Sequence, residues 1–328
     1  MQPTGIATEN RYAGAVPGIA YLGPEGTFTE VALRAIVGNG LIPPTGSPTA
    51  PDRTAVTPIA TNSIATALAA VRGGSAELAC VPIENSIDGS VLSTLDNLAT
   101  GTPLQIFAEL TLDVSFTIAV RPGSGASDVH TIAAFPVAAA QVSRWLAENL
   151  PKAQLVPANS NAAAAQDVAA GTVDAAVSTA LATQRHELES LADGVVDEPN
   201  ARTRFVLVGP PAPPPKRTGA DRTSVVLRLD NVPGALVSAM TELAIRDIDL
   251  TRIESRPTRT ELGTYVFFLE FVGHIDDDSV AEALRALHRR CADVRYLGSW
   301  PTGDAGGAPP PPLDEAQAWL ERLREGRP

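Results

Sequence analysis

Thiols are almost missing from this chain: Cys80 and Cys291 are the two cysteines among 328 residues. Each stands alone in apolar or strand-like sequence, which supplies neither a disulfide framework nor a zinc cluster and points to a reducing cytoplasm. Histidine is also scarce. His130, His186, His274 and His288 show no metal-ligand spacing, so surface or structural places are expected for them. No run of about 18 apolar residues occurs, and a membrane span is not expected. The stretch Met1 to Gly18 lacks the charged start and apolar core of a secretory signal. Positive charge is the deepest shortage. The net charge is −12, and residues 18–209 hold 18 Asp and Glu against 9 Arg and Lys, a local balance of −9. That argues against a nucleic-acid or anionic-membrane binder, which needs a basic surface. An anion bound in that region has to be held by a few aimed donors. Only Lys152 and Lys216 among the 25 basic residues are lysine, a usage that fits genome composition rather than function.

Apolar residues make up 44% and charged residues 19%, as in a soluble globular chain long enough for two domains. The clearest punctuation is proline. Residues 210–222, with Pro210, Pro211, Pro213, Pro214 and Pro215, read as a stiff spacer. Before it, in 18–209, apolar runs such as Ile19–Leu22, Leu78–Ile83 and Phe116–Val120 alternate with helical stretches at Glu30–Val37, Ser63–Val71, Val137–Asn149 and Ala162–Ala170. This predicts an α/β sheet covered by helices, with ligands beyond the carboxyl ends of strands. Ile42–Pro58 reads as a surface loop. Over 223–301 the order becomes strand, helix, strand, strand, helix, strand, the ferredoxin-like arrangement. Residues 302–328 form a tail with a short amphipathic helix, Leu313–Glu325, which carries Ala316, Leu320 and Leu323 on one face. Trp145, Trp300 and Trp319 are expected to pack, and Arg289 and Arg290 to form a solvated face.

Three clusters place polar residues where such a sheet binds ligands. Tyr21-Leu22-Gly23-Pro24-Glu25-Gly26-Thr27-Phe28-Thr29-Glu30 runs from a strand through a glycine turn to a helix start that Thr27 or Thr29 can cap. Free N–H groups there suit an anion. No Gly-Lys-Ser/Thr follows, so it is not a Walker loop. Val81-Pro82-Ile83-Glu84-Asn85-Ser86 sets carboxylate, amide and hydroxyl directly after a buried strand. Thr203-Arg204-Phe205 offers a hydroxyl, a guanidinium and an aromatic ring at a strand start. Each alone is more simply an ordinary turn or edge strand.

Together, and in this order, the three blocks resemble those of the prephenate dehydratases over nearly all of 18–209. Beyond the spacer, Gly234-Ala235-Leu236-Val237 and Glu254-Ser255-Arg256-Pro257 are similar to the two phenylalanine-binding motifs of that family's ACT domain. The resemblance implies a two-lobed, periplasmic-binding-protein-like α/β catalytic domain joined to a ferredoxin-like βαββαβ ACT domain. It implies decarboxylative dehydration of prephenate to phenylpyruvate, a carbon–oxygen lyase reaction in phenylalanine biosynthesis, with L-phenylalanine as effector. A homodimer or homotetramer is implied, since the effector lies between paired ACT domains. One departure stands out: where the family shows Ser-His-Pro and then Gln-Cys, this chain has Ala134-Phe135-Pro136 and Gln141-Val142. A scheme needing that serine or histidine does not carry over. Ser160-Asn161-Ala162 stands where Ser-Thr-Ala is common.

Prephenate carries two carboxylates and a ring hydroxyl, and the step that resists is departure of hydroxide. The site has to donate a proton or hydrogen bond to that hydroxyl and hold the carboxylates. The resemblance makes Thr203 essential. Its ordinary acidity suits a hydrogen-bond donor better than an acid. Glu84 is either the acid, if burial raises its pKa, or a lobe-bridging or turn carboxylate. Arg204 is the expected bidentate clamp. Phe205 is either an apolar wall or a core residue, because strand neighbours alternate. Thr27, Asn85, Ser86 and Gln141 complete the expected substrate contacts, and no cofactor or metal is needed. An arogenate dehydratase would share these blocks; a non-catalytic ligand sensor on the same fold is the other alternative, against which Thr203, Arg204 and Glu84 argue for catalysis. A coupled chorismate mutase is not expected, because too little chain precedes the first strand.

Overall fold

The computed structural model describes residues 16–43, 55–259, 263–302 and 314–327. In chain order the elements are β1 (Gly18–Leu22), α1 (Phe28–Gly38), β2 (Thr57–Thr61), α2 (Ile64–Arg72), β3 (Leu78–Asn85), β4 (Gly89–Ser90), α3 (Leu92–Ala99), β5 (Gln105–Asp113) and β6 (Phe116–Val120). Then come β7 (Thr131–Ala134), α4 (Pro136–Gln141), α5 (Ser143–Asn149), β8 (Gln154–Pro157), α6 (Asn161–Ala169), β9 (Ala175–Ser178), α7 (Ala180–Arg185), β10 (Glu189–Val195) and β11 (Arg202–Gly209). The chain ends with β12 (Asp221–Arg228), α8 (Ala235–Ala244), β13 (Leu250–Pro257), β14 (Tyr265–Val272), α9 (Asp278–Arg290), β15 (Asp293–Pro301) and α10 (Asp314–Arg324). Both the α/β class and the βαββαβ order expected from sequence are present.

The chain forms two compact units. The first contains Met1–Cys80 and Asp113–Ala201. Here β1 lies parallel to β2, with Gly18 opposite Thr57, and parallel to the start of β3, with Ile19 opposite Leu78. A second sheet runs β10-β6-β9-β7-β8. Its core gathers Phe116, Ile118, Val120, Ile132, Val142 and Val177, with Trp145 packed against it. Helix α2 starts where Ser63 accepts a hydrogen bond from Thr66 N, and α6 where Ser160 accepts one from Ala163 N, which satisfies amide groups that a helix start leaves free. The single helix expected over Val137–Asn149 is two, α4 and α5, broken at Val142 with φ −127°. Thr57–Thr61 pairs as a strand although its start was expected to belong to the Ile42–Pro58 loop; residues 44–54 of that loop lie outside the described residues.

The second unit contains Val81–Leu112 and Arg202–Pro328. The rest of β3 neighbours β11, which neighbours β5, and β4 folds back on β3 with Glu84 opposite Ser90. A four-stranded antiparallel sheet runs β13-β14-β12-β15. One face packs Val225, Leu227, Leu269 and Phe271 with Leu243 of α8 and with Val280 and Leu287 of α9. Gly298 of β15 has φ +135°, and a Cβ there would stand 2.3 Å from the Ile106 carbonyl oxygen of β5; only glycine allows this approach. His274, fully buried, contacts the Pro215 carbonyl at 2.9 Å, a structural role. The tail helix α10 is present, with Leu313 and the linker at 303–312 outside the described residues. Trp319 is 51% exposed rather than packed.

Candidate active site

Strands β3 and β11 lie side by side, and alternation sends their neighbouring side chains to opposite faces. On one face Asn85 Nδ2 donates to Thr203 Oγ1 at 2.9 Å. Asn85 Oδ1 accepts from the N–H groups of Ile87 and Asp88 at 2.8 and 3.0 Å, so one amide side chain shapes the turn and fixes the threonine. Ser86 closes the pairing, its N–H donating to the Arg202 carbonyl and its Oγ accepting from Arg202 N at 2.9 Å. Since Thr203 Oγ1 accepts from Asn85, its own proton is left to donate elsewhere. Among the described residues the Thr203 hydroxyl makes no second hydrogen bond. Asn85, Ser86 and Thr203 are thus brought together.

The opposite face is ionic. Arg204, 8% exposed, donates to Glu109 Oε2 at 3.2 Å and Glu270 Oε2 at 2.7 Å, and lies 3.2 Å from Glu84. Glu109 also accepts from Arg222, at 2.7 and 3.0 Å, and from Trp300 Nε1 at 3.0 Å. Arg252 donates to Glu270 at 3.3 Å. Burial alone would lower the pKa of Arg204, but Glu270, Glu109 and Glu84 together raise it. Burial pushes Glu270 up, yet Arg204, Arg252 and Arg222 bring it below its usual value. The expected substrate clamp at Arg204 is therefore corrected: its fork is committed to carboxylates of this chain, on the face away from Thr203. Phe205, 2% exposed, belongs to the core and is not a wall of the site. Glu84 is 40% exposed at its side chain and faces Arg204 and Arg252, at 3.2 and 3.9 Å. This placement makes Glu84 a carboxylate shared between two arginines.

In the first unit, the glycine turn serves its own helix. Thr27 holds the position before α1 but makes no capping bond, because its hydroxyl donates to the Leu22 carbonyl at 2.9 Å. The anion at that helix start is Glu30, which accepts from Gly26 N at 2.6 Å and pairs with Arg34 and Arg185. Burial pushes Glu30 up, and the Gly26 amide with the two arginines brings it below the usual carboxylate value. Gly26 has φ +90°, and a Cβ there would lie 2.9 Å from that of Ala182. Gln141 is 8% exposed at the end of α4 and its carbonyl accepts from Asp197 N. Ser160 spends its hydroxyl on the α6 cap.

In the second unit a cavity of about 290 Å³ opens at the start of α8, lined by residues including Leu229, Asp230, Gly234, Ala235 and Arg290. Gly234 has φ +82° with open space where a Cβ would point, so glycine is required by backbone conformation rather than by crowding. Leu236 is half-buried and Val237 69% exposed, and neither lines the cavity. Nor do Glu254, Ser255, Arg256 or Pro257, which lie on the edge strand β13. Arg290, expected on a solvated face, donates to Ser238 and pairs with Glu242.

Sequence reasoning missed Glu109, Arg222, Arg252 and Glu270. Glu270 left a signal, as the one charge inside the apolar strand Tyr265–Val272. No group of three or more His, Cys, Asp or Glu among the described residues could hold a metal ion, and no described helix is long and apolar enough to cross a membrane.

A family model of prephenate dehydratases matches residues 19–213, and an ACT-domain model matches 223–289. A prephenate dehydratase of Mycolicibacterium gilvum is 77% identical over 95% of this chain and 100% of its own length. The crystal structure of a prephenate dehydratase in complex with L-Phe from Arthrobacter aurescens is 38% identical, with a TM-score of 0.82 over 94% of this chain and 99% of that one. GqqA, described as a novel type of quorum quenching acylase, is 30% identical with a TM-score of 0.73, covering 87% and 98%. With this identity spread over nearly the whole length, and with the Asn85–Thr203 pair in place, the chain belongs to the prephenate dehydratase family.

Proposed function

We propose that this chain converts prephenate to phenylpyruvate, carbon dioxide and water, and that Thr203 assists the leaving hydroxyl. The carbon–carbon bond to the ring carboxylate breaks and its electron pair becomes ring π density. The carbon–oxygen bond then breaks toward hydroxide, which takes up a proton to become water. Aromatisation drives the step, so the protein has mainly to stabilise charge on the departing oxygen. The observation that carries this reading is the Asn85–Thr203 bond: the threonine oxygen is held as acceptor, and its O–H is left to donate. Thr27, Asn85, Ser86 and Gln141 are proposed substrate contacts.

L-Phenylalanine is the proposed effector. The cavity beside Gly234 is lined by Arg290, whose charge suits a carboxylate, by Asp230, which suits an ammonium, and by Leu229 as apolar surface. Val237, Ile245, Ile253 and Tyr265 are large apolar residues exposed on this unit, which supports a homodimer or homotetramer. The domains are taken as 18–209, 210–222, 223–301 and 302–328. Two free thiols at Cys80 and Cys291 fit a cytoplasmic enzyme. Purified protein supplied with prephenate, and separately with arogenate, tests the reading through phenylpyruvate and phenylalanine formation with and without L-phenylalanine. Phenylpyruvate from prephenate is expected; turnover of arogenate alone would reassign the substrate.

A further inference from the structure

Strand β13 has two unlike faces. Its burial alternates along all eight residues, with Arg252, Glu254 and Arg256 half-buried and Thr251, Ile253, Ser255 and Pro257 exposed. Every half-buried side chain of that triplet is bound to the segment that carries Asn85. Arg252 donates to Ser90 Oγ at 2.6 Å and lies 3.9 Å from Glu84. The same Ser90 hydroxyl donates to Glu254 at 2.9 Å. Arg256 donates twice to Asp96, at 3.0 and 3.1 Å. Ser90 sits opposite Glu84 in the β3–β4 hairpin, one residue from the amide that holds Thr203. Arg252 also reaches Glu270, so it ties the hairpin to the centre of the four-stranded sheet.

We propose that Arg252, Glu254 and Arg256 are positioning residues that grip the hairpin and α3, hold Asn85 against Thr203, and carry the effector signal to it. The motif Glu254–Pro257 then divides by strand alternation. Ser255 and Pro257 remain exposed toward a ligand or partner copy, while Glu254 and Arg256 transmit. Displacement of an edge strand moves its whole ionic face together, because the three contacts share one rigid backbone. The proposal rests on the reading that Thr203 assists the reaction and that L-phenylalanine is the effector.

The test uses the full-length enzyme with Arg252→Met, Arg252→Lys and Glu254→Ala, and with Ser90→Ala as the variant least able to disturb folding. The Met, Glu254→Ala and Ser90→Ala variants should lose about tenfold in kcat with KM within about twofold. Saturating L-phenylalanine should change the remaining rate by less than about twofold. Calorimetry should still find L-phenylalanine bound at the wild-type stoichiometry, and Arg252→Lys should recover part of both kcat and response. Wild-type kcat with a full L-phenylalanine response in Ser90→Ala and Glu254→Ala would overturn the proposal. Loss of L-phenylalanine binding in Glu254→Ala would also overturn it, by making Glu254 a ligand contact. Thr203→Ala, measured alongside, separates the two levels: full activity there removes the underlying reading, whereas inactivity there with normal β13 variants removes only the transmission.

Discussion

Asn85 Nδ2 donates to Thr203 Oγ1 at 2.9 Å between residues 118 positions apart in the chain. The bond turns the threonine proton away from Asn85, which is itself held by the two turn amides it accepts from. Asn85→Asp replaces the donor with a carboxylate, which draws the Thr203 proton toward itself and away from substrate. An expected fall in kcat of about 10- to 100-fold with a smaller change in KM follows, because the lost interaction belongs to the transition state. Steady-state kinetics check it, and unchanged kcat would remove Asn85 from the mechanism.

Gly234 permits the turn into α8 through its backbone. With φ +82° and open space at the Cβ position, Gly234→Ala should cost about 1 kcal/mol and Gly234→Val more, since β-branched residues rarely adopt this conformation. Both should weaken L-phenylalanine binding in that order while leaving uninhibited turnover intact. Calorimetry giving equal affinity for wild type and Gly234→Val would move the effector site elsewhere.

Gly298 is the tightest approach of β15 to β5. A methyl group placed 2.3 Å from the Ile106 carbonyl, at φ +135°, forces the backbones apart. Gly298→Ala should destabilise the protein by about 2 kcal/mol or more, read as a lower Tm or denaturant midpoint. A midpoint equal to wild type would show that β15 and β5 do not meet as described.

The ionic face gives acid sensitivity. Glu270 is pushed up by burial but held below its ordinary value of 4.5 by Arg204, Arg252 and Arg222, and Glu30 lies below 4.5 as well. A carboxylate lowered in the folded state contributes stability that is complete above the unfolded value and is lost as pH falls through the folded one. Glu270→Gln should therefore be much less stable than wild type near pH ~7, with the gap narrowing below pH ~4. Parallel melting curves, with a constant gap over that range, would contradict the assignment of charge to Glu270.

Periodicity made the fold legible. The apolar runs at Ile19–Leu22 and Phe116–Val120 are strands, and the βαββαβ order after the proline spacer is complete. The short strand Thr57–Thr61 escaped because its TPIAT sequence is mostly exposed and carries a proline, which hides alternation. The blocks Glu84–Asn85 and Thr203–Arg204 do meet on adjacent strands, yet their local sequence does not show which residues share a face. Two adjacent strands each send one residue to the Thr203 face and one to a buried ion cluster, and no local pattern says which. Arg204 looked like a clamp because its partners Glu109 and Glu270 are distant in sequence.

The most direct measurement is steady-state turnover of prephenate by wild type, Thr203→Ser and Thr203→Ala, with folding verified by melting curves. The Ala variant should lose about two to four decades in kcat with little change in KM, while the Ser variant, which restores the O–H donor, keeps most of the activity. Thr203→Ala turning over prephenate at the wild-type rate would remove Thr203 from the reaction.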